Sequence, residues 1–167
     1  NVKPFVLESS EQFMPPPPPS LSSSEYAAAL NDVKTIGSAT SSIRTPDQTL
    51  AAQAWASIGN PTGVAVFWNT IARNLSAPRG LSTVENARLF AMINMSTHDA
   101  LETSFASKFR YGLWRPVTAI RRADEDGNPA TDADTQWLSL IPAPPYPTYA
   151  GNMAAIGMAN AGILALF

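Results

Sequence analysis

Two positively charged residues that could bind a ligand, Lys108 and Arg115, lie seven positions apart on either side of Gly112. A lysine acts as a point charge and an arginine offers a planar fork of N–H donors, so the pair suits a tetrahedral oxyanion such as phosphate. Pro116 follows Arg115 directly; it disfavours the α conformation at Arg115 and suits the first position of a new helix. We therefore expect Lys108 near the end of one helix and Arg115 at the start of the next, both able to turn toward one pocket.

The same two cations also have a structural interpretation. Lysine and arginine near the C-terminus of a helix commonly interact with the helix dipole and stay solvated. The spacing of Lys108 and Arg115 does not by itself separate this role from ligand binding, so the residues alone leave both interpretations open.

Helices have to position these side chains, and the sequence contains clear helix signals. Residues 82–85, Ser-Thr-Val-Glu, form a capping box, and no glycine or proline interrupts the chain from there to Phe109. This predicts a long helix that ends just after Lys108, followed by a short helix from Pro116. The other predicted helices cover residues 25–36, 46–58, 62–75 and 152–167. Since no segment shows strand-like alternation, we predict an all-α fold.

The composition limits the possible functions. A chain of 167 residues suits one domain. Its net charge of −2 lacks the positive excess that is typical of proteins that bind nucleic acid. The absence of cysteine excludes a disulfide framework, and no apolar run is long enough to span a bilayer.

The N-terminal segment differs from the rest of the chain. It carries five consecutive prolines at 15–19, which predicts an extended polyproline arm over residues 1–22 ahead of a helical domain at 23–167. The chain begins at Asn1 without an initiator methionine. We expect a processed start and therefore a secreted or periplasmic protein.

Read as Lys, six residues and Arg-Pro, residues 108–116 resemble the first signature of a known superfamily. It joins type 2 phosphatidic acid phosphatases, bacterial acid phosphatases and vanadium-dependent haloperoxidases. Further segments resemble its bacterial haloperoxidase-like branch, at residues 88–91, 98–100, 114–121, 126–129, 131–137 and 144–147. The resemblance implies a helical bundle, phosphoester hydrolysis or peroxide-dependent halide oxidation, and vanadate as a possible cofactor.

The second signature of the superfamily departs from its pattern here. The superfamily places Ser-Gly-His at a helix N-terminus, where this chain reads Ala150-Gly151-Asn152. The resemblance implies that Gly151 and Asn152 join Lys108 and Arg115 around phosphate or vanadate. Asparagine cannot transfer a proton near neutral pH, and general acid–base catalysis contributes about 10²–10⁴-fold. We therefore expect impaired catalysis, leave the catalytic residue unassigned, and keep a noncatalytic helical scaffold as the alternative.

The third signature, which carries an arginine and a histidine, has no counterpart in these 167 residues. The apolar end at 162–167 predicts a break in mid-helix, so we expect a C-terminal half or a second chain to complete the fold. Exposed apolar surface would then favour self-association.

The remaining polar residues have structural predictions. His98 lies ten residues before Lys108, about 15 Å along a helix, and is expected to be a hydrogen-bonded core residue. Asp99 is expected to pair with Arg115 or Arg121. The acidic loop at 124–134 resembles a calcium loop superficially but lacks the final bidentate glutamate, so we predict no metal site.

Overall fold

A computed structural model describes residues 2–59 and 61–167, without the side chain of Pro61. Asn1, where the processed start was predicted, lies outside the described residues. The helices are α1 (Ser24–Ile36), α2 (Pro46–Ser57), α3 (Pro61–Ser76), α4 (Thr83–Tyr111), α5 (Pro116–Arg121) and α6 (Asn152–Leu164), with short 3₁₀ turns at Ala77–Arg79 and Ala123–Glu125. Among the described residues, β-pairing is confined to an isolated bridge between Ser38 and Ser139. The predicted all-α fold is confirmed.

Local capping explains where the helices begin. Thr45 and Gln48 exchange hydrogen bonds at the start of α2, and Ser82 and Glu85 do so at the start of α4. The predicted capping box is therefore present, and its hydrogen bonds lower the pKa of the Glu85 carboxyl. At α1 the capping residue is Ser23, whose hydroxyl accepts from the Tyr26 N–H at 3.1 Å. The helix therefore begins at Ser24, one position before the predicted start at residue 25.

None of the helices in the described residues combines the length and apolar character needed to cross a bilayer. The chain divides into two compact units, each built from separated segments. Unit 1 contains Asn1–Pro15, Ser57–Arg110 and Ala150–Phe167, and unit 2 contains Pro16–Ala56 and Tyr111–Tyr149.

Unit 1 has a core between α3, α4 and α6. Its buried apolar residues are Val64, Trp68, Ala72, Leu89, Ile93 and Ile156. A polar contact adds specificity, because fully buried Asn160 of α6 bonds two hydroxyls of α4. Its amide nitrogen donates to Thr97 Oγ1 at 2.8 Å, and its oxygen accepts from Ser96 Oγ at 2.7 Å. These bonds fix the register of α6 against α4.

Unit 2 packs α1 against α5 and the loop that follows. Its buried apolar residues are Leu30, Ala119, Ile120, Ala123 and Trp137. Asn128, in the acidic loop, donates to the carbonyls of Leu21 and Ser23 at 2.8 and 3.0 Å and so holds the start of α1. Asp126 accepts from the Asn128 N–H and from Thr131 Oγ1, so this loop is organised by its own hydrogen bonds.

Candidate oxyanion-binding site

Lys108 lies in the last turn of α4, as predicted, and is 1% exposed. Its ammonium donates to the carbonyl oxygen of Ala150 at 2.6 Å, within unit 1. An ammonium in the interior needs polar partners, because burial removes its hydration. Lys108 therefore places a positive charge directly beside the turn that precedes α6.

Two buried serines of α4 hold the same peptide group. Ser104 Oγ donates to the Ala150 carbonyl at 3.1 Å, and Ser107 Oγ accepts from the Ala150 N–H at 2.9 Å. Ser107 in turn donates to the Ser104 carbonyl at 2.7 Å. We call Ser104, Ser107 and Lys108 the Ala150 clasp. Sequence reasoning missed the two serines, although small polar residues three and four positions apart near a helix end could have indicated a shared face.

Gly151 and Asn152 form the start of α6, next to the clasp. Gly151 is the N-cap residue, with φ −70° and ψ 112°, and among the described residues no side chain caps this helix end. The first N–H groups of a helix have no intrahelical acceptor, and together with the helix dipole they favour an anion. A Cβ added to Gly151 would meet only the Ala154 Cβ, at 3.8 Å, so neither its φ nor local space demands glycine.

Arg115 belongs to unit 2 and has the predicted backbone position. It is the N-cap of α5, extended at φ −64° and ψ 149°, with Pro116 at the first helical position. Its Nε donates to the Tyr146 carbonyl at 2.5 Å, and its guanidinium lies 4.7 Å from the centre of the Tyr146 ring. Burial lowers the pKa of the Arg115 guanidinium, while contact with Tyr146 opposes that shift. Arginine nevertheless keeps its charge in proteins.

The structure thus brings Lys108 beside the peptide that leads into Gly151 and Asn152. Arg115 is placed with Tyr146 in unit 2. The assignment of all four residues to an oxyanion stays a prediction.

His98 is hydrogen-bonded, as predicted, but it is half-buried and is not the core residue that was expected. Its Nε2 lies 3.2 Å from the Lys3 carbonyl oxygen, and the ring meets Phe5 edge-on with centroids 4.9 Å apart. A carbonyl only accepts, so Nε2 must carry the proton for this hydrogen bond to form. His98 therefore attaches the N-terminal arm to α4.

The expected pairing of Asp99 with Arg115 or Arg121 is wrong. The 5% exposed Asp99 carboxylate accepts from the backbone N–H groups of Phe5, Val6 and Leu7 at 2.7, 2.8 and 3.1 Å. Arg121 instead donates to the Trp137 carbonyl at 2.9 Å. The physical reason is that three consecutive N–H groups of one bent segment of the arm satisfy a carboxylate without a second buried charge.

Burial raises the pKa of the Asp99 carboxyl, but the three N–H donors and nearby His98 outweigh it, and the net shift is downward. In the described residues no group of His, Cys, Asp or Glu is placed to hold a metal ion.

Comparison with known proteins places this site in a family context. Residues 88–167 match the family model described as the VCPO second helical-bundle domain, a span that contains all four predicted site residues. Vanadium chloroperoxidase from Curvularia inaequalis is 30% identical over an alignment covering 78% of this chain and 23% of that relative. The chain therefore spans less than a quarter of the length of the relative it matches. Together with the helical fold, these matches show that the chain belongs to the vanadium haloperoxidase-like superfamily.

Proposed function

We propose that this chain contributes a binding site for a tetrahedral oxyanion, phosphate or vanadate. The observation that carries the proposal is the buried charge of Lys108 beside the uncapped N-terminus of α6, a helix of 13 residues. Positive charge, free helix N–H groups and the Gly151 backbone favour the same anionic ligand. Arg115 is the fourth proposed ligand and receives its own test.

The residues present fit the oxygens of vanadate as hydrogen-bond acceptors. When bound, vanadate would supply the peroxide-dependent halide oxidation to which the name of the relative refers. Phosphate would instead be the group released in phosphoester hydrolysis. The side-chain amide of Asn152 can donate a hydrogen bond at this position but cannot transfer a proton. This chain is accordingly proposed to bind the oxyanion and to turn over poorly.

A specific observation favours a second candidate, a noncatalytic scaffold. Lys108 and Arg115 each donate to a backbone carbonyl, of Ala150 and Tyr146 respectively, so both cations stabilise local structure without a ligand. In this alternative the helical fold acts as a scaffold that binds other protein chains and catalyses no reaction. The secreted or periplasmic location stays a prediction, and so does the reaction of any longer protein to which this chain belongs.

Thermal unfolding in the presence of orthovanadate or phosphate separates the two candidates. A ligand at 100 times its Kd stabilises the folded state by about 2.7 kcal/mol, which raises the midpoint of the wild type. Lys108→Met is expected to remove this ligand-dependent rise. Arg73→Gln is the matched control, since Arg73 is exposed in unit 1 and its loss changes net charge equally.

Arg115→Gln provides a second variant in case Lys108→Met does not fold. Losing a charge-assisted hydrogen bond of about 1.5–3 kcal/mol should weaken oxyanion affinity roughly 10- to 100-fold. The oxyanion proposal fails if the wild type shows no rise, or if Lys108→Met and Arg115→Gln respond like Arg73→Gln. Either result supports the scaffold.

We also propose that this chain self-associates or receives further polypeptide on unit 1. Large apolar side chains there are exposed, including Phe109 (69%), Met158 (77%) and Leu166 (72%). Apolar surface of this kind tends to be buried against another molecule. Light scattering after size exclusion should therefore give a mass above that of one chain.

The mass should fall toward one chain in the double variant Met158→Glu, Leu166→Glu. Asn74→Glu with Ala87→Glu adds the same charge at exposed positions of unit 1 and should leave the mass unchanged. A wild type that is monomeric at all concentrations would contradict self-association.

A further inference from the structure

A cavity of about 430 Å³ in unit 1 lies apart from the Ala150 clasp. Its walls come from the N-terminal arm, α4 and α6. We call it the arm pocket. The arm contributes Val6, Leu7 and Phe13, and α4 contributes Met92 and Met95. Methionine side chains adapt to ligands of different shape, and pockets for small molecules span about 300–1,000 Å³. The cavity therefore has the size and lining of a small-molecule site.

Three polar side chains line the arm pocket, and two of them have partners. Ser96 Oγ contacts the Ile93 carbonyl and the Asn160 side-chain oxygen, at 3.1 and 2.7 Å. Asp99 is engaged by the arm N–H groups. Thr103 differs, because its hydroxyl is buried and has no hydrogen-bond partner among the described residues. A buried hydroxyl without a partner is unfavourable.

We infer that the arm pocket binds a neutral, largely apolar small molecule whose single polar group hydrogen-bonds to Thr103. The Asp99 carboxylate in the wall repels an anion, and because three arm N–H groups already bind this carboxylate, a cation would have to compete with them. A neutral ligand meets neither cost. The apolar lining selects against a ligand with several polar groups, which would lose their hydration without replacement. The volume suits a molecule with about two fused rings or an equivalent chain. This inference does not depend on oxyanion binding.

The arm shapes this site directly. Val6 and Leu7, which line the pocket, are two of the three residues whose N–H groups bind Asp99. The same carboxylate therefore holds the arm against α4 and keeps that wall of the pocket in place.

Fluorescence titration of the full chain with prodan, a neutral naphthalene ketone, tests the inference. Binding should shift prodan emission to shorter wavelength, and anilinonaphthalene sulfonate, an anion of similar size, should bind more weakly. Ala159→Phe places a ring at a position that lines the pocket and should abolish prodan binding. Ala161→Phe makes the same change at an exposed position of α6 and should leave binding intact.

Thr103→Val replaces the hydroxyl by a methyl group of similar size. It should weaken the affinity for prodan about 2- to 10-fold, as expected for the loss of one neutral hydrogen bond. Without ligand the same variant should unfold at a higher temperature than the wild type, because it loses an unsatisfied buried group. The inference is overturned if prodan does not bind, if Ala159→Phe binds as well as Ala161→Phe, or if Thr103→Val leaves the affinity unchanged. It is also overturned if prodan is displaced as the protein concentration rises, since a second copy would then occupy the pocket.

Discussion

Asp99→Ala should lower the free energy of unfolding by about 2–4 kcal/mol, the largest effect we expect from one side chain. Hydrogen bonds to charged groups contribute about 1.5–3 kcal/mol each, and three bonds that share one buried carboxylate are not additive. The arm N–H groups of Phe5, Val6 and Leu7 would lose their common acceptor. Urea unfolding measures the energy, and hydrogen exchange at these three amides measures release of the arm.

The contribution of Asp99 also depends on pH. The folded-state pKa is lowered relative to the ordinary value of 3.8, so the stabilisation is fully present above that value. It is lost as the pH falls through the lower, folded-state pKa. The stability difference between the wild type and Asp99→Asn should therefore be constant from about pH 7 to 5 and should shrink below about pH 4.

Asp32→Asn is the matched control for this pH series, since it removes one negative charge from an exposed position. It should leave both the stability and the exchange of the arm amides close to those of the wild type. A difference between wild type and Asp99→Asn that persists unchanged at pH 2.5 would contradict a charge-dependent arm contact.

Ser107→Ala should lower the free energy of unfolding by about 1–3 kcal/mol, the second-largest effect. Ser107 is fully buried, and its hydroxyl is the acceptor for the Ala150 N–H. Alanine leaves that partly buried N–H without its side-chain acceptor, and an unsatisfied buried donor costs about this much. Ser107→Cys keeps a weaker acceptor of similar size and should lose less.

The same variant tests whether the Ala150 clasp prepares the oxyanion site. If Lys108 and the α6 N-terminus act together, a loosened Ala150 turn should weaken vanadate or phosphate binding in Ser107→Ala beyond its effect on folding. Ser22→Ala, at an exposed position in unit 2, should change neither property. Unaltered oxyanion affinity in a destabilised Ser107→Ala would separate the clasp from ligand binding.

Local sequence determined the helices and the backbone positions of the predicted site residues. The capping box at Ser82 and the proline at 116 act through neighbouring residues, so their effect can be predicted without the fold. The one-residue error at α1 has a local origin too, because Ser23 and Ser24 are both able to cap. For the lone His98 the predicted hydrogen bond is present, but the predicted core position is wrong, because the ring is half-buried.

Partners distant in the chain were decided only by the tertiary structure. Asp99 bonds to N–H groups 92–94 positions away, and Lys108 bonds to a carbonyl 42 positions away. Backbone N–H and carbonyl groups occur at nearly every residue, so side-chain type does not reveal which of them a buried group will meet. The sequence therefore determined where Asp99 and Lys108 lie on α4, whereas the packing of the arm and α6 against that helix decided their partners.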